Sequence, residues 1–232
     1  MILPTYNEAE NIEPFVRAVT GQLETVEMPY TVLIVDDGSP DGTGRIADSL
    51  AAELSGVRVL HRAAKEGLGR AYLAGFAVAL AEGAELVLEM DSDFSHDPAD
   101  LPRLIAAAGA ADLVLGSRYV TGGGVVNWGL LRRVVSRAGC AYARLVLGTS
   151  VRDLTGGFKC FNRRVLESIE LDKVQANGYQ FQIELTYRAV RAGFRVAEVP
   201  ILFRERRFGE SKMTPRIAVE AVFRVPALRL RV

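Results

Sequence analysis

Residues 85–97, ELVLEMDSDFSHD, constrain this chain more than any other stretch: an apolar run leads straight into carboxylates and stops. Leu86, Val87, Leu88 and Met90 form a continuous apolar segment, the pattern of a strand buried on both faces of a parallel sheet. Asp91 and Asp93 follow at its C-terminal end. Residues two apart on an extended backbone point to the same side, so both carboxylates can converge on one hard cation with oxygen ligands. The stretch therefore outlines a metal and phosphate site. Other readings compete with it. Asp97 before Pro98 has the layout of a helix N-cap, and a D-x-D after a strand also occurs as a phosphatase nucleophile loop, although such loops usually open a domain. A calcium EF-hand is excluded, because counting from Asp91 its Gly and Glu positions hold His96 and Pro102.

A chain of 232 residues, 49% hydrophobic, can bury the core of one α/β domain. The longest uncharged stretches, Ala71–Ala81 and Tyr119–Leu131, fall well short of the roughly 18 residues that a membrane-spanning helix needs. Neither a span nor a signal peptide is expected. Cys140 and Cys160 alone suit a reduced, cytosolic protein. Formal charge is zero, yet between Leu113 and Arg152 there is no acid, while Arg118, Arg132, Arg133, Arg137, Arg144 and Arg152 all occur there. From Val199 onward the chain is again basic. The second half is expected to face anions, with no nucleic acid among its partners.

Taken in order, the chain opens with a short apolar strand, then Asn7 and Glu10 in the spacing of a capping box, then a helix with Ile12, Val16, Val19 and Leu23 on one face. A second strand, Thr31–Val35, ends at Asp36 and Asp37, the edge where open α/β sheets bind ligands. A carboxylate there can accept hydrogen bonds from a ribose or a base edge, or can belong to an acidic turn built on Ser39, Pro40, Asp41 and Gly42. A third strand, Val57–His61, precedes Lys65 and a glycine-rich entry at Gly67 and Gly69 to a helix with Leu73, Phe76, Ala77 and Leu80, a place where phosphate can be received. A helix through Leu101–Ala108 and a strand Asp112–Leu115 continue the alternation, which predicts a doubly wound, mostly parallel sheet.

The motifs PTYNEAENI, VDDGSPDGT, KEGLGRAY, MDSDFSHDP, GSRY, DLTGGFKCF, NGYQFQIE and FRERRFGESK stand in the order found in family 2 glycosyltransferases of the GT-A fold. More narrowly, they resemble the polyprenol (dolichol) monophosphate mannose synthases. The resemblance covers nearly the whole chain and implies one GT-A domain over residues 1–232, a nucleotide-sugar and metal half to about residue 120 and an acceptor and membrane-facing half beyond it. The implied reaction is inverting transfer of mannose from GDP-mannose to a polyprenyl or dolichyl monophosphate, with a UDP-sugar glucosyl- or N-acetylhexosaminyltransferase as the alternative. It places the nucleotide pocket on Pro4, Tyr6, Glu8 and Asp36, with Lys65 nearby, and a Mg2+ or Mn2+ site on Asp91 and Asp93. Ser95 stands at a third metal-proximal position, often Gln in relatives. Arg118, Arg206 and Lys212 match basic residues directed at phosphates, whereas Arg204 and Arg207 do not.

Such chemistry is coherent in its own terms. A departing pyrophosphate needs a divalent ion and cationic side chains to neutralise it, and an acceptor that is already an anion needs no general base. Two segments fit a lipid acceptor. Trp128–Leu147 mixes Leu130, Leu131, Val134, Val135 and Leu145 with arginines and no acid, the pattern of a membrane-surface helix. In Ile217–Val232, Pro226 is expected to break a helix carrying Val219, Val222 and Phe223, with a basic tail after it. The protein is therefore expected peripherally on the cytosolic face of a membrane, with a possible separate anchoring subunit or domain. The Arg206–Lys212 stretch, with Gly209, Glu210 and Ser211, is expected to act as a lid closing over anions.

Overall fold

The computed structural model describes residues 1–174, 178–205 and 215–232, as backbone alone at 179 and 215–222. Strands and helices alternate as β1 (Ile2–Thr5), α1 (Ile12–Glu24), β2 (Val32–Asp36), α2 (Thr43–Glu53), β3 (Val57–His61), α3 (Leu68–Ala81), β4 (Leu86–Glu89), α4 (Leu101–Ala107) and β5 (Leu113–Ser117). The second half adds β6 (Gly124–Val125), α5 (Leu130–Leu147), β7 (Lys159–Asn162), α6 (Arg163–Ser168), α7 (Tyr179–Arg191), β8 (Val196–Pro200), β9 (Leu202–Phe203) and α8 (Pro215–Arg231). A seven-stranded sheet runs β3-β2-β1-β4-β7-β5-β8, and β6 with β9 forms a two-stranded parallel pair. Every neighbour pair in the main sheet is parallel except those of β7, which is antiparallel to both β4 and β5.

The period-two alternation of the strands distributes side chains between two cores, one on each face. Ile2, Leu33, Val87 and Leu113 join Tyr72, Phe76, Leu147, Phe181 and Val225 on one face. Leu3, Ile34, Leu88 and Val114 meet Phe15, Val16, Leu50 and Leu104 on the other. Helix α3 lies tight on β1, and a Cβ at Gly75 would stand 2.5 Å from Ile2 Cγ2, so only glycine permits that approach.

Several sequence expectations need correction. Asn7 and Glu10 do not cap α1: the helix starts at Ile12 after Asn11, Asn7 is left-handed at φ 57°, and the Asn11 amide donates to Glu8 Oε2 at 2.8 Å. The backbone N–H of Asn7 is drawn instead to a neighbouring loop. Gly69 lies inside the first turn of α3, and Gly67 alone, at φ 101°, forms the entry. Pro226 does not end α8, which continues to Arg231. The proline removes one backbone donor, but Val225 and Leu228 on either side of it are buried and hold the helix to the core. Asp97 is an N-cap as its spacing suggests, its carboxylate accepting from Ala99 N at 3.0 Å to start the short 3-10 turn Pro98–Asp100 before α4.

Candidate active site

From β1 the chain winds outward through β2 and β3, and β4 then pairs with the opposite edge of β1. The crevice beyond the C-terminal ends of β1, β2 and β4 is thus the switch point where ligands bind in such sheets. Two loops there are fastened together by side chains. Successive backbone N–H groups of Asn7, Glu8 and Ala9 donate to Ser39 Oγ at 3.0 Å, Thr43 Oγ1 at 2.9 Å and Asp41 Oδ2 at 3.1 Å. Asp36 is buried and accepts from Ser39 N at 3.2 Å and Ser39 Oγ at 2.6 Å. Its carboxylate therefore shapes the loop, which is the turn-forming alternative rather than an open acceptor. Asp37 pairs with Arg62.

Across this crevice Lys65 Nζ sits 3.8 Å from the centre of the Tyr6 ring, so a cation and an aromatic from different loops form one wall. Ser92 Oγ donates to Pro4 O at 3.2 Å and ties the acidic loop to the end of β1. Pro4, Tyr6, Glu8, Asp36, Lys65, Asp91, Asp93 and Ser95 thus belong to one sheet edge. Asp91 accepts from Tyr72 O–H at 3.4 Å, and that phenol stacks on Phe76 and Phe181. Asp93 Oδ1 accepts from Ser95 N at 2.9 Å and from Ser95 Oγ. Ser95, expected at a metal-proximal position, is buried and holds Asp93 through both its backbone N–H and its hydroxyl.

The donor set suits a hard divalent cation of the Mg2+ kind, which binds through one or two carboxylates and completes its shell with substrate phosphates and water. Among the described residues no group of three or more His, Cys, Asp or Glu forms an all-protein cage. Negative charge is concentrated here: burial, and then the fields of Asp91 and Glu89, push the Tyr72 phenol well up. Directly beneath, Lys159 donates to Glu89 Oε1 at 2.8 Å and to Gln182 Oε1, with the ion pair fully enclosed. Burial raises the Glu89 carboxyl and lowers the Lys159 ammonium, each opposed by its partner.

Arg118 is not where a phosphate-directed arginine was expected to be open. Its Nε and Nη2 donate to Asp153 Oδ2 and Oδ1 at 2.7 and 2.6 Å, its backbone N–H donates to Asp153 Oδ2 at 2.9 Å, and Nη2 also donates to Thr155 Oγ1 at 2.7 Å. The carboxylate it needs lies in another loop, and the pair is 5% and 0% exposed. Burial works against the guanidinium charge, and Asp153 more than offsets it, so the net direction is upward. The sequence did carry a signal, since Asp153 is the sole acid between Asp112 and Glu167.

Around this pair stand His96, Phe203, Trp128 and Tyr119. His96 is buried, edge-on to Phe203, and burial lowers its pKa to about 4. Trp128 has a buried indole N–H without a hydrogen-bond partner, and Arg132 lies 4.0 Å over its ring. Arg204 is exposed, with its backbone N–H donating to Ser95 O at 2.9 Å. Arg206 and Lys212, and with them the expected lid, lie outside the described residues.

Helix α5 leads away from Trp128 with Leu130 and Leu131 each 78% exposed and Leu145 80% exposed. Helix α8 packs beside it, where Arg229 donates to Val146 O at 2.6 Å, and exposes Phe223 and Leu230. No helix among the described residues is long and apolar enough to cross a membrane.

The architecture is that of a GT-A glycosyltransferase, and comparison with known proteins agrees. The family model described as "Glycosyl transferase family 2" matches residues 1–170, and the chain belongs to that family. It is 48% identical over 224 residues to the undecaprenyl-phosphate mannosyltransferase of Micrococcus luteus, covering 97% of this chain and 90% of that protein. It is likewise 48% identical over 233 residues to the polyprenol monophosphomannose synthase of Mycolicibacterium smegmatis, covering 100% and 86%. Among solved structures, glucosyl-3-phosphoglycerate synthase of Mycobacterium tuberculosis, in complex with Mn2+, UDP-glucose and phosphoglyceric acid, superposes with a TM-score of 0.72 at 23% identity, over 100% of this chain and 79% of that one.

Proposed function

We propose that this glycosyltransferase moves mannose from GDP-mannose to a polyprenyl or dolichyl monophosphate, in a single displacement that inverts the anomeric centre. The observation that carries this reading is a pair of surfaces on one domain: a strand-end acidic site suited to a cation-bound pyrophosphate, and an exposed apolar, arginine-bearing face on α5 and α8 suited to a lipid. The names of the two relatives at 48% identity point the same way.

Each residue has a role in this reading. The Tyr6–Lys65 wall, with Pro4, Glu8 and the loop shaped by Asp36, receives the nucleotide. Asp91 and Asp93, the latter held by Ser95, hold a divalent ion, which when bound neutralises charge developing on the leaving pyrophosphate. Arg206 and Lys212 are assigned to phosphates on sequence grounds. Arg118, fixed by Asp153, is assigned to shaping the acceptor side, where Arg132 over the Trp128 ring supplies a cation. Holding one anion beside another is unfavourable, and each charge-assisted contact offsets about 1.5–3 kcal/mol of that cost. A phosphate monoester is ionised before it reacts, so no side chain serves as general base; what the acceptor requires is orientation behind the anomeric carbon.

The exposed leucines of α5 and Phe223 and Leu230 of α8 rest on the cytosolic face of a membrane, with their arginines among anionic head groups. A further segment or separate subunit can supply firmer anchoring. Within the chain, residues up to about 120 serve the donor and those beyond it the acceptor.

The experiment is a transfer assay with radiolabelled GDP-mannose, UDP-glucose and UDP-N-acetylglucosamine, each offered with polyprenyl phosphate and Mn2+ or Mg2+. Label from GDP-mannose is expected in the organic phase. Label from a UDP-sugar alone would overturn the donor, and label that stays aqueous throughout would overturn the lipid acceptor.

A further inference from the structure

Beneath the acidic pair, Gln182 Nε2 is sealed from solvent and lacks a hydrogen-bond partner. Its direction is fixed, because the amide oxygen accepts from Lys159 Nζ and the nitrogen must then point the other way as a donor. Lys159 is itself held by Glu89, so three fully enclosed groups from β4, β7 and α7 lock one amide orientation. An unmet buried donor is costly, which makes an arrangement that enforces one informative.

What the amide faces is a small space at Gly157. A Cβ built there would lie 3.4 Å from Gln182 Nε2 and 3.6 Å from Asp91 Oδ2, so the missing side chain leaves a methyl-sized gap with the amide on one wall and the Asp91 carboxylate on the other. Because Nε2 cannot be reached from solvent, its partner is a neighbouring protein group or a trapped water rather than an arriving substrate. Glu89 Oε2 is also without a partner in the same cluster, and the amide lies close enough to help lower that carboxyl, so Glu89 is the competing acceptor that the test below separates from Asp91.

We propose that Gln182 is a positioning residue for Asp91: its Nε2 donates to the Asp91 carboxylate, directly or through one water in the gap at Gly157, when that carboxylate turns to hold a divalent cation. Carboxylates that bind metals are commonly oriented by such a second hydrogen bond. The inference rests on the assignment of Asp91 as a metal-holding residue, and it explains why glycine stands at 157 and why an ion pair is buried beneath the site.

The test is Mn2+ affinity of the full chain with GDP present, read from the electron paramagnetic resonance signal of free Mn2+, for wild type, Gln182→Leu and Gly157→Ala. The methyl of Gly157→Ala makes only ordinary contacts in the structure, so this variant keeps its fold even if Gln182→Leu does not. Both variants are expected to raise the Kd for Mn2+ by about 10- to 100-fold while binding GDP alone as wild type does. If Mn2+ affinity is retained in folded Gly157→Ala and in folded Gln182→Leu, or if GDP binding falls equally with it, the proposal is overturned and Gln182 serves only the Glu89–Lys159 pair. Wild-type protein that takes up no Mn2+ would defeat the metal assignment itself, and this inference with it; tight wild-type binding kept by both variants defeats the role of Gln182 alone.

Discussion

Arg118 and Asp153 show how far a single residue's role depends on a partner remote in sequence. The GSRY motif marks Arg118, but only the fold brings up the carboxylate 35 residues later that takes its guanidinium bidentately. Removing one member of a buried pair leaves an uncompensated charge, so Asp153→Asn is expected to cost about 3–5 kcal/mol, measured by urea denaturation at neutral pH. The pair also sets a pH dependence. Burial would raise the Asp153 carboxyl, but Arg118 brings it below its ordinary value of 3.8. The unfolded chain therefore takes up the proton first as pH falls, and the contribution is complete above about pH 4 and lost below it. Wild type should lose stability over that acid range more steeply than Asp153→Asn; parallel curves would mean the pair is not what holds the loop. Ser95 and Asp36 teach the same lesson, since both stand where their motifs place them yet bond to neighbouring protein groups.

At the scale of elements, most helices and strands were legible because their periodicity and burial agree. The buried faces of α1 and the fully buried β2 follow directly from the spacing of their apolar residues. What was not legible depended on distant contacts. Strand β7 is four residues long and mixes Lys159 and Asn162 with Cys160 and Phe161, so neither its existence nor its antiparallel sense follows from pattern alone. The Asn7–Glu10 spacing imitates a cap, but the side chains of Ser39, Thr43 and Asp41 compete successfully for those backbone donors. In α8 a proline read as a terminus is carried through by tertiary packing. Since an interior proline is about 3 kcal/mol less favourable than alanine, Pro226→Ala should raise the thermal midpoint; a lower one would show that the ring's own packing outweighs the missing hydrogen bond. For α5, Leu130, Leu131 and Leu145 are so exposed that replacing all three with serine should change stability by less than about 0.5 kcal/mol per site, yet strongly reduce sedimentation with anionic vesicles. Unchanged vesicle binding would take the membrane away from this face.

For the whole molecule, the sheet topology sets two surfaces side by side: β1, β2 and β4 deliver the acidic edge, while β5, the loop through Asp153 and the aromatic cluster at Trp128 and Phe203 build the neighbouring basic side. The D-x-D was readable as a strand-end pair, whereas the Glu89–Lys159–Gln182 support beneath it was not, because its members come from three elements and look like unrelated polar residues in sequence. The central claim is that Asp91 and Asp93 hold a cation on which transfer to a lipid phosphate depends. It is tested most directly by initial rates of label transfer from GDP-mannose to polyprenyl phosphate for wild type, Asp91→Asn and Asp93→Asn, with Mn2+, with EDTA, and with Mn2+ restored. The account predicts that EDTA abolishes wild-type transfer reversibly and that each variant, still folded by circular dichroism, is slower by orders of magnitude; full-rate transfer in EDTA or by either variant would contradict it.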